Sequence, residues 1–192
     1  MPHATTLPDP VIATARLVIR PAGEGDRHDI VAEVNDFDVT RMLAKVPYPY
    51  RLSDADAFLR SIKNSGERSL ALSIARAGRV IGGIGLSDIG GTTEFGYWLG
   101  RSHWGQGYAT EAGRAVLTRI FSAYDIGVVR SGVFVDNPAS LRVQDKLGFE
   151  RTGRREVFSV ARGHAVEHID TALTRERFRE MDWANRETAS SE

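Results

Sequence analysis

No cysteine occurs among the 192 residues, which removes disulfides, thiolate metal ligands, iron–sulfur clusters and a cysteine nucleophile together. That fits a reducing cytoplasm. Net charge of either sign is missing too. The 25 Lys and Arg balance 25 Asp and Glu, so no overall field steers the chain toward nucleic acid or an anionic membrane. There is no apolar run of about 18 residues, and no cationic start leads into an apolar stretch, so neither membrane insertion nor export is expected. Two phosphate signatures are also absent. No Gly-Lys is followed by Ser or Thr, as a nucleoside triphosphatase loop needs, and no third small residue completes a dinucleotide fingerprint. What is present is an ordinary globular composition, 42% hydrophobic, of a length for one domain.

The prolines at 2, 8 and 10 mark residues 1–13 as an irregular arm, and residues 183–192 form a polar tail; the folded unit spans 14–182. Within it, Leu17 to Ile19 predict a strand ended by Pro21, and Ile30, Val31 and Val34 predict a helix over 26–34. A short helical segment near 39–44 follows. Ser53 is the expected N-cap of a helix carrying Phe58, Leu59 and Ile62 on one face. Residues 70–75 and 80–86 read as a hairpin, and Glu94 to Leu99 as a third strand beside them. A glycine-rich loop precedes an amphipathic helix over 110–121, a strand over 128–135, a helix over 138–146, and two strands around Arg162-Gly163. The order β-α-α-β-β-β-loop-α-β-α-β-β gives an α+β fold with a mostly antiparallel sheet and one βαβ crossover at the loop.

The loop is Trp104-Gly105-Gln106-Gly107-Tyr108-Ala109. A glycine-rich turn between a strand and a helix exposes successive backbone N–H groups at the positive end of the helix dipole, which suits a phosphate or pyrophosphate; a purely structural tight turn uses the same residues. Further blocks occur in order: Thr14-Ala-Arg-Leu-Val-Ile-Arg-Pro21, Glu94-Phe-Gly-Tyr-Trp-Leu99, the loop continuing to Ala112, Asn137-Pro-Ala-Ser140 and Lys146-Leu-Gly-Phe149. Together they resemble the GNAT superfamily of N-acetyltransferases, and within it the branch that acetylates ribosomal-protein amino termini, the RimJ/RimL type. Trp104 stands where the wider superfamily usually has Arg or Gln.

The resemblance implies a GNAT fold whose central sheet is splayed between strands 4 and 5 and flanked by helices. It implies acetyl-CoA as cosubstrate, no metal, an amine acceptor on a peptide terminus or small molecule, and a monomer or homodimer. Cofactor contacts are then expected from Trp98, Leu99 and Gly100, from the loop residues Trp104, Gly105, Gln106, Gly107, Tyr108, Ala109 and Thr110, and from Asn137 and Ser140. Strand alternation sets Glu94, Gly96 and Trp98 on one face and Phe95, Tyr97 and Leu99 on the other. Glu94 matches a glutamate that serves as base, directly or through water, and the Trp98 amide is the expected donor to the developing oxyanion. Many relatives carry a tyrosine acid where Gln144 stands here. Ser140 is the alternative acid, with a helix-capping role as its structural counterpart; a non-catalytic acyl-CoA-binding or regulatory domain is the competing function. His164-Ala-Val-Glu-His168 spells a zinc-peptidase pattern, but that pattern needs a helix, and the surrounding alternation predicts a strand that sets the two rings roughly 13 Å apart. Acceptor choice is expected to rest on residues 34–63 and 158–167.

Overall fold

The computed structural model describes residues 11–64 and 66–181. Eight strands form a single sheet: β1 (Ile12–Ala13), β2 (Val18–Pro21), β3 (Leu70–Arg76), β4 (Arg79–Ser87), β5 (Glu94–Leu99), β6 (Val128–Phe134), β7 (Glu150–Ser159) and β8 (His164–Thr174). Their spatial order is β1-β2-β3-β4-β5-β6-β8-β7. Every neighbouring pair is antiparallel except β5 and β6, which run parallel and share one registered pair, Glu94 with Arg130. Beyond Glu94 the two strands diverge. The extra strand β1 means that the expected splay between strands 4 and 5 falls between β5 and β6.

The helices are α1 (Arg27–Val34), α2 (Phe37–Thr40), α3 (Leu52–Asn64), α4 (Tyr108–Ala123), α5 (Pro138–Leu147) and α6 (Arg175–Glu180). On one face of the sheet, Ala112, Val116, Leu117 and Ile120 of α4 and Leu147 of α5 are wholly buried against Ile19, Ile74, Ile84, Phe95 and Leu173. Gly113 lets α4 and α5 meet closely, since a Cβ there would lie 2.6 Å from a Leu147 methyl. A smaller cluster on the opposite face joins Ile30 and Val34 of α1, Tyr50, Ala55 and Leu59 to Val80, with Trp98 packed against it. Burying these side chains contributes roughly 1.5–3 kcal/mol each, so the two clusters hold the splayed edge between two supports.

Three sequence expectations shift. Ile12–Ala13, assigned to an irregular arm, pair with Ile19 and Val18, while residues 1–10 and 182–192 lie outside the described residues. Ser53 lies inside α3, whose start is held by Asp54, its carboxylate accepting from the Arg51 N–H at 2.7 Å. The short helix forms earlier than expected, over Phe37–Thr40, because Asp36 caps it by accepting from the Asp38 N–H.

One buried charge ties the start of α1 to β2 and β3. Asp26 accepts hydrogen bonds from Arg20 at 2.6 and 2.9 Å, from Ser73 Oγ at 2.7 Å and from the Gly23 N–H at 3.0 Å. Burial opposes ionisation, but these donors outweigh it and hold the carboxyl below its ordinary value. Asp26→Ala is expected to lower unfolding free energy in urea by about 2–3 kcal/mol, because the donors lose their shared acceptor. The folded state binds this proton less readily than the unfolded chain. The contribution is therefore full above about pH 4 and fades as pH falls through the folded value, and the wild-type-to-variant gap should narrow in acid.

Candidate active site

The loop after β5 begins with a turn of 3-10 helix over Arg101–His103 and reaches α4 through two left-handed glycines, Gly105 (φ +72°) and Gly107 (φ +80°). Gly107 is the residue before α4, and no side chain caps that end. Among the described residues, the backbone N–H groups of residues 105–110 donate to no protein acceptor. A row of unpaired N–H groups at the start of a sixteen-residue helix has the geometry an anion would need. The Trp104 indole pins the loop by donating to the Leu99 carbonyl at 2.8 Å.

Arg16, quoted above only as part of an opening strand, braces the loop from outside. It donates to the Gln106 carbonyl at 2.9 Å, pairs with Glu111 at 2.6 Å and lies 4.6 Å over the Tyr108 ring. Glu111 also accepts from the Thr14 hydroxyl at 2.6 Å and the Arg16 N–H at 3.0 Å. Its burial resists ionisation, yet these bonds prevail and keep it below the ordinary carboxylate value. No local sequence pattern signals this brace, since 95 residues separate Arg16 from Glu111.

The splay leaves one edge of β5 open. The Gly100 N–H donates to the Ile81 carbonyl, and antiparallel alternation then directs the backbone of Trp98, registered opposite Gly83, toward β4 as well. This corrects the expected oxyanion donor: the Trp98 amide belongs to the sheet ladder, whereas Tyr97 and Leu99 present their N–H groups to the opening. Gly100 is likewise committed to β4, and the Gln106 side chain turns back to the Ser102 carbonyl.

Gln144 is 1% exposed and ties β6 to β8 beside the opening. Its Nε2 donates to Ser131 Oγ at 2.9 Å and to the Gly132 carbonyl at 3.4 Å, and its Oε1 accepts from the Thr171 hydroxyl at 2.6 Å. Ser131 in turn donates to the Phe95 carbonyl at 2.8 Å. Ser131 thus bridges β6 to β5 where the strands diverge, and Gln144, which holds Ser131 from behind, is a structural strut. Asn137 caps α5 by accepting from the Ser140 N–H at 3.0 Å, so the Ser140 hydroxyl is not the cap. That hydroxyl lies 2.7 Å from the Tyr97 hydroxyl. Burial pushes Tyr97 above its ordinary range, only partly offset by the bond to Ser140, and the phenol stays protonated. Sequence reading placed Tyr97 with Phe95 and Leu99 on the face opposite Glu94 and assigned it no role.

A cleft of about 930 Å³ passes through the splay. It gathers Glu94, Trp98, Leu99, Trp104, Gly105, Gly107, Tyr108, Ala109, Thr110, Asn137 and Ser140; Gly100 and Gln106 do not line it. On the side away from α4, the floor is backbone at Gly83, Gly85, Gly96 and Gly132, with Glu94 exposed at one end. The Trp98 indole lies on Gly83, where a Cβ would come within 2.5 Å of Nε1. The roof joins the two segments expected to choose the acceptor. The Val160 N–H donates to the Ala44 carbonyl, Arg162 donates to the Arg41 carbonyl at 2.7 Å, and both arginines grip Asp136.

The model of the acetyltransferase (GNAT) domain matches residues 16–150. The chain belongs to the GNAT acetyltransferases. It is an N-acetyltransferase that moves the acetyl group of acetyl-CoA to an amine, and the competing reading as a non-catalytic CoA-binding domain is set aside. A Bacillus licheniformis protein described as the uncharacterized N-acetyltransferase p20 is 25% identical over 170 residues, covering 85% of this chain and 96% of that one. Among solved structures, Mycobacterium smegmatis RimJ in complex with CoA-disulfide superposes with a TM-score of 0.78 at 19% identity, over 91% of this chain and 89% of that one. Spermidine N-acetyltransferase from Vibrio cholerae, in complex with CoA and spermine, gives 0.75 at 17% identity, over 87% and 100%. These two likenesses show the GNAT fold. Among the described residues, no group of three or more His, Asp or Glu could hold a metal ion, and no helix is long and apolar enough to cross a membrane.

Proposed function

We propose that the acceptor of this GNAT enzyme is a peptide or protein amino terminus whose first residue is small or apolar. The observation that carries this is the lining of the acceptor side of the cleft. Val34, Val39, Met42, Val46, Tyr50 and Phe58 form its walls, and its acidic groups are Glu94 and Asp136, the latter already neutralised by Arg41 and Arg162. A polyamine or aminoglycoside carries several ammonium groups and needs several unpaired carboxylates. Here one amine would find one carboxylate amid apolar walls. The cysteine-free composition supports a cytoplasmic setting for the reaction.

Acetyl-CoA supplies a thioester carbonyl as electrophile. The amides of residues 105–110 hold its pyrophosphate, and the open edge of β5 holds the pantetheine arm as an added strand. Glu94 takes a proton from the acceptor ammonium, directly or through water, which frees the lone pair for attack. The N–H groups of Tyr97 and Leu99 face the charge that develops on the carbonyl oxygen. Ser140 gives its proton to the departing sulfur while Tyr97 donates to Ser140 Oγ.

The test is release of free CoA from purified protein with acetyl-CoA and a panel of amines. Peptides beginning with Ala, Ser or Met should exceed spermidine and aminoglycosides in kcat/KM by at least about tenfold, because each further ammonium would enter apolar walls without a partner. A preference for the polycations would overturn the acceptor assignment.

A further inference from the structure

Acetylating an ammonium removes two protons from nitrogen: one before attack, and one as the N–C bond forms and the C–S bond breaks. Glu94 takes the first. The second leaves on the acceptor side of the sheet while sulfur is protonated by Ser140 on the α5 side, so a base beside the amine can take it. Solvent returns one proton to Ser140 and receives the one net proton released.

His168 occupies that side. It lies on β8, registered with Phe134 of β6 and Arg155 of β7, and lines the cleft with Glu94. Its ring meets the Phe134 ring edge-on at 5.6 Å and lies across Gly132, where a Cβ would stand 2.2 Å from Cε1 and 3.0 Å from Nδ1. Only glycine at 132 admits the imidazole in this position. Nδ1 is 2.9 Å from Asp170 Oδ1, and Asp170 is itself held by Arg155 Nε at 2.9 and 3.1 Å. An ionised Asp170 keeps the proton on Nδ1, which leaves Nε2 as the acceptor; among the described residues Nε2 has no hydrogen-bond partner. The side chain retains 14% exposure, open to the cleft rather than to bulk solvent.

We propose that His168 is a catalytic residue, its Nε2 taking the proton that leaves the amine as the amide forms, with Asp170 as its positioning residue. This rests on the acceptor entering over Glu94. The charged groups facing the ring are Asp170 on its own strand, Arg155 on β7 and Glu94 on β5, while β6 presents the uncharged Gly132 and Phe134. Burial, with a smaller push from Arg155, outweighs Asp170 and Glu94 and holds the ring below its ordinary value, so it is neutral and ready to accept at neutral pH.

His168→Gln should lower kcat/KM for the amine by about 100-fold at pH 7.5, within the range for a lost general base, with acetyl-CoA affinity unchanged within twofold. The acid limb of the pH profile, set below the ordinary imidazole value in the wild type, should move toward the carboxylate range. Asp170→Asn should lower kcat/KM by about tenfold and shift that limb to lower pH, since the ring loses a stabilising anion. Gly132→Ala places a Cβ 2.2 Å from the ring and 2.7 Å from the Ile169 carbonyl, so it should reproduce the loss by displacing the ring, with acetyl-CoA affinity unchanged within twofold if the β6–β8 pairing is kept. A rate within threefold of wild type in His168→Gln, or an unmoved acid limb, overturns the proposal. Should His168→Gln fail to bind acetyl-CoA, Gly132→Ala and Asp170→Asn decide by the same readouts. Loss in Glu94→Gln with a normal His168→Gln sinks this inference alone; normal rates in both variants sink the acceptor assignment with it.

Discussion

Gly107→Val is expected to weaken acetyl-CoA binding by at least about 100-fold. The cause is backbone strain more than collision. At φ +80° a β-branched residue meets its own carbonyls, whereas the nearest outside atom to a new Cβ is Arg16 Nη2 at an ordinary 3.4 Å. Valine would draw φ back to negative values and rotate the amides of Tyr108, Ala109 and Thr110 out of their common direction. A cradle of several charge-assisted bonds then loses its convergence, and each such bond is worth roughly 1.5–3 kcal/mol. Tyr108 and Ala109 join the core in the first turn, but most of the α4 core, at Ala112, Val116, Leu117 and Ile120, lies beyond it, so the fold should survive with a modest loss in thermal midpoint. Calorimetric titration with acetyl-CoA measures the effect. Affinity within threefold of wild type would remove the pyrophosphate from this loop.

Glu94→Gln should lower kcat at pH 7 by about 10²–10³-fold with acetyl-CoA affinity and thermal midpoint unchanged, since glutamine keeps the shape and accepts a hydrogen bond but takes no proton. Glu94 is exposed, and its registry with Arg130 is a backbone pairing, so the substitution reaches chemistry without touching the core. Stopped-flow detection of CoA release separates this from slow product loss. An unchanged kcat would show that Glu94 is a surface carboxylate on a half-covered strand.

Much of this was legible in the sequence. Period-two alternation put Glu94, Gly96 and Trp98 together on the face away from α4, and the paired glycines before an apolar helix marked the turn whose N–H groups stay unpaired. What was hidden depends on partners distant in the chain. The direction of the Trp98 N–H follows from which neighbour β5 pairs with along its length, and that is set by β4 and by the single Glu94–Arg130 bridge. Gln144 read as a missing acid because its partners, Ser131 and Thr171, sit on two other strands. Arg16 and Glu111 lie 95 residues apart and gave no local pattern. The His-x-x-Glu-His spacing was correctly placed on a strand, but its second histidine gains meaning only from Gly132 across the sheet.

The central claim is that acetyl-CoA lies in the opening between β5 and β6 with its pyrophosphate on the loop before α4. Backbone amide resonances followed during titration with acetyl-CoA test it directly. The largest shifts should fall on residues 105–110 and on Tyr97 and Leu99, while Trp98, whose amide faces β4, moves little. Shifts concentrated away from these positions, or a Trp98 amide that moves more than both its neighbours, would contradict the account.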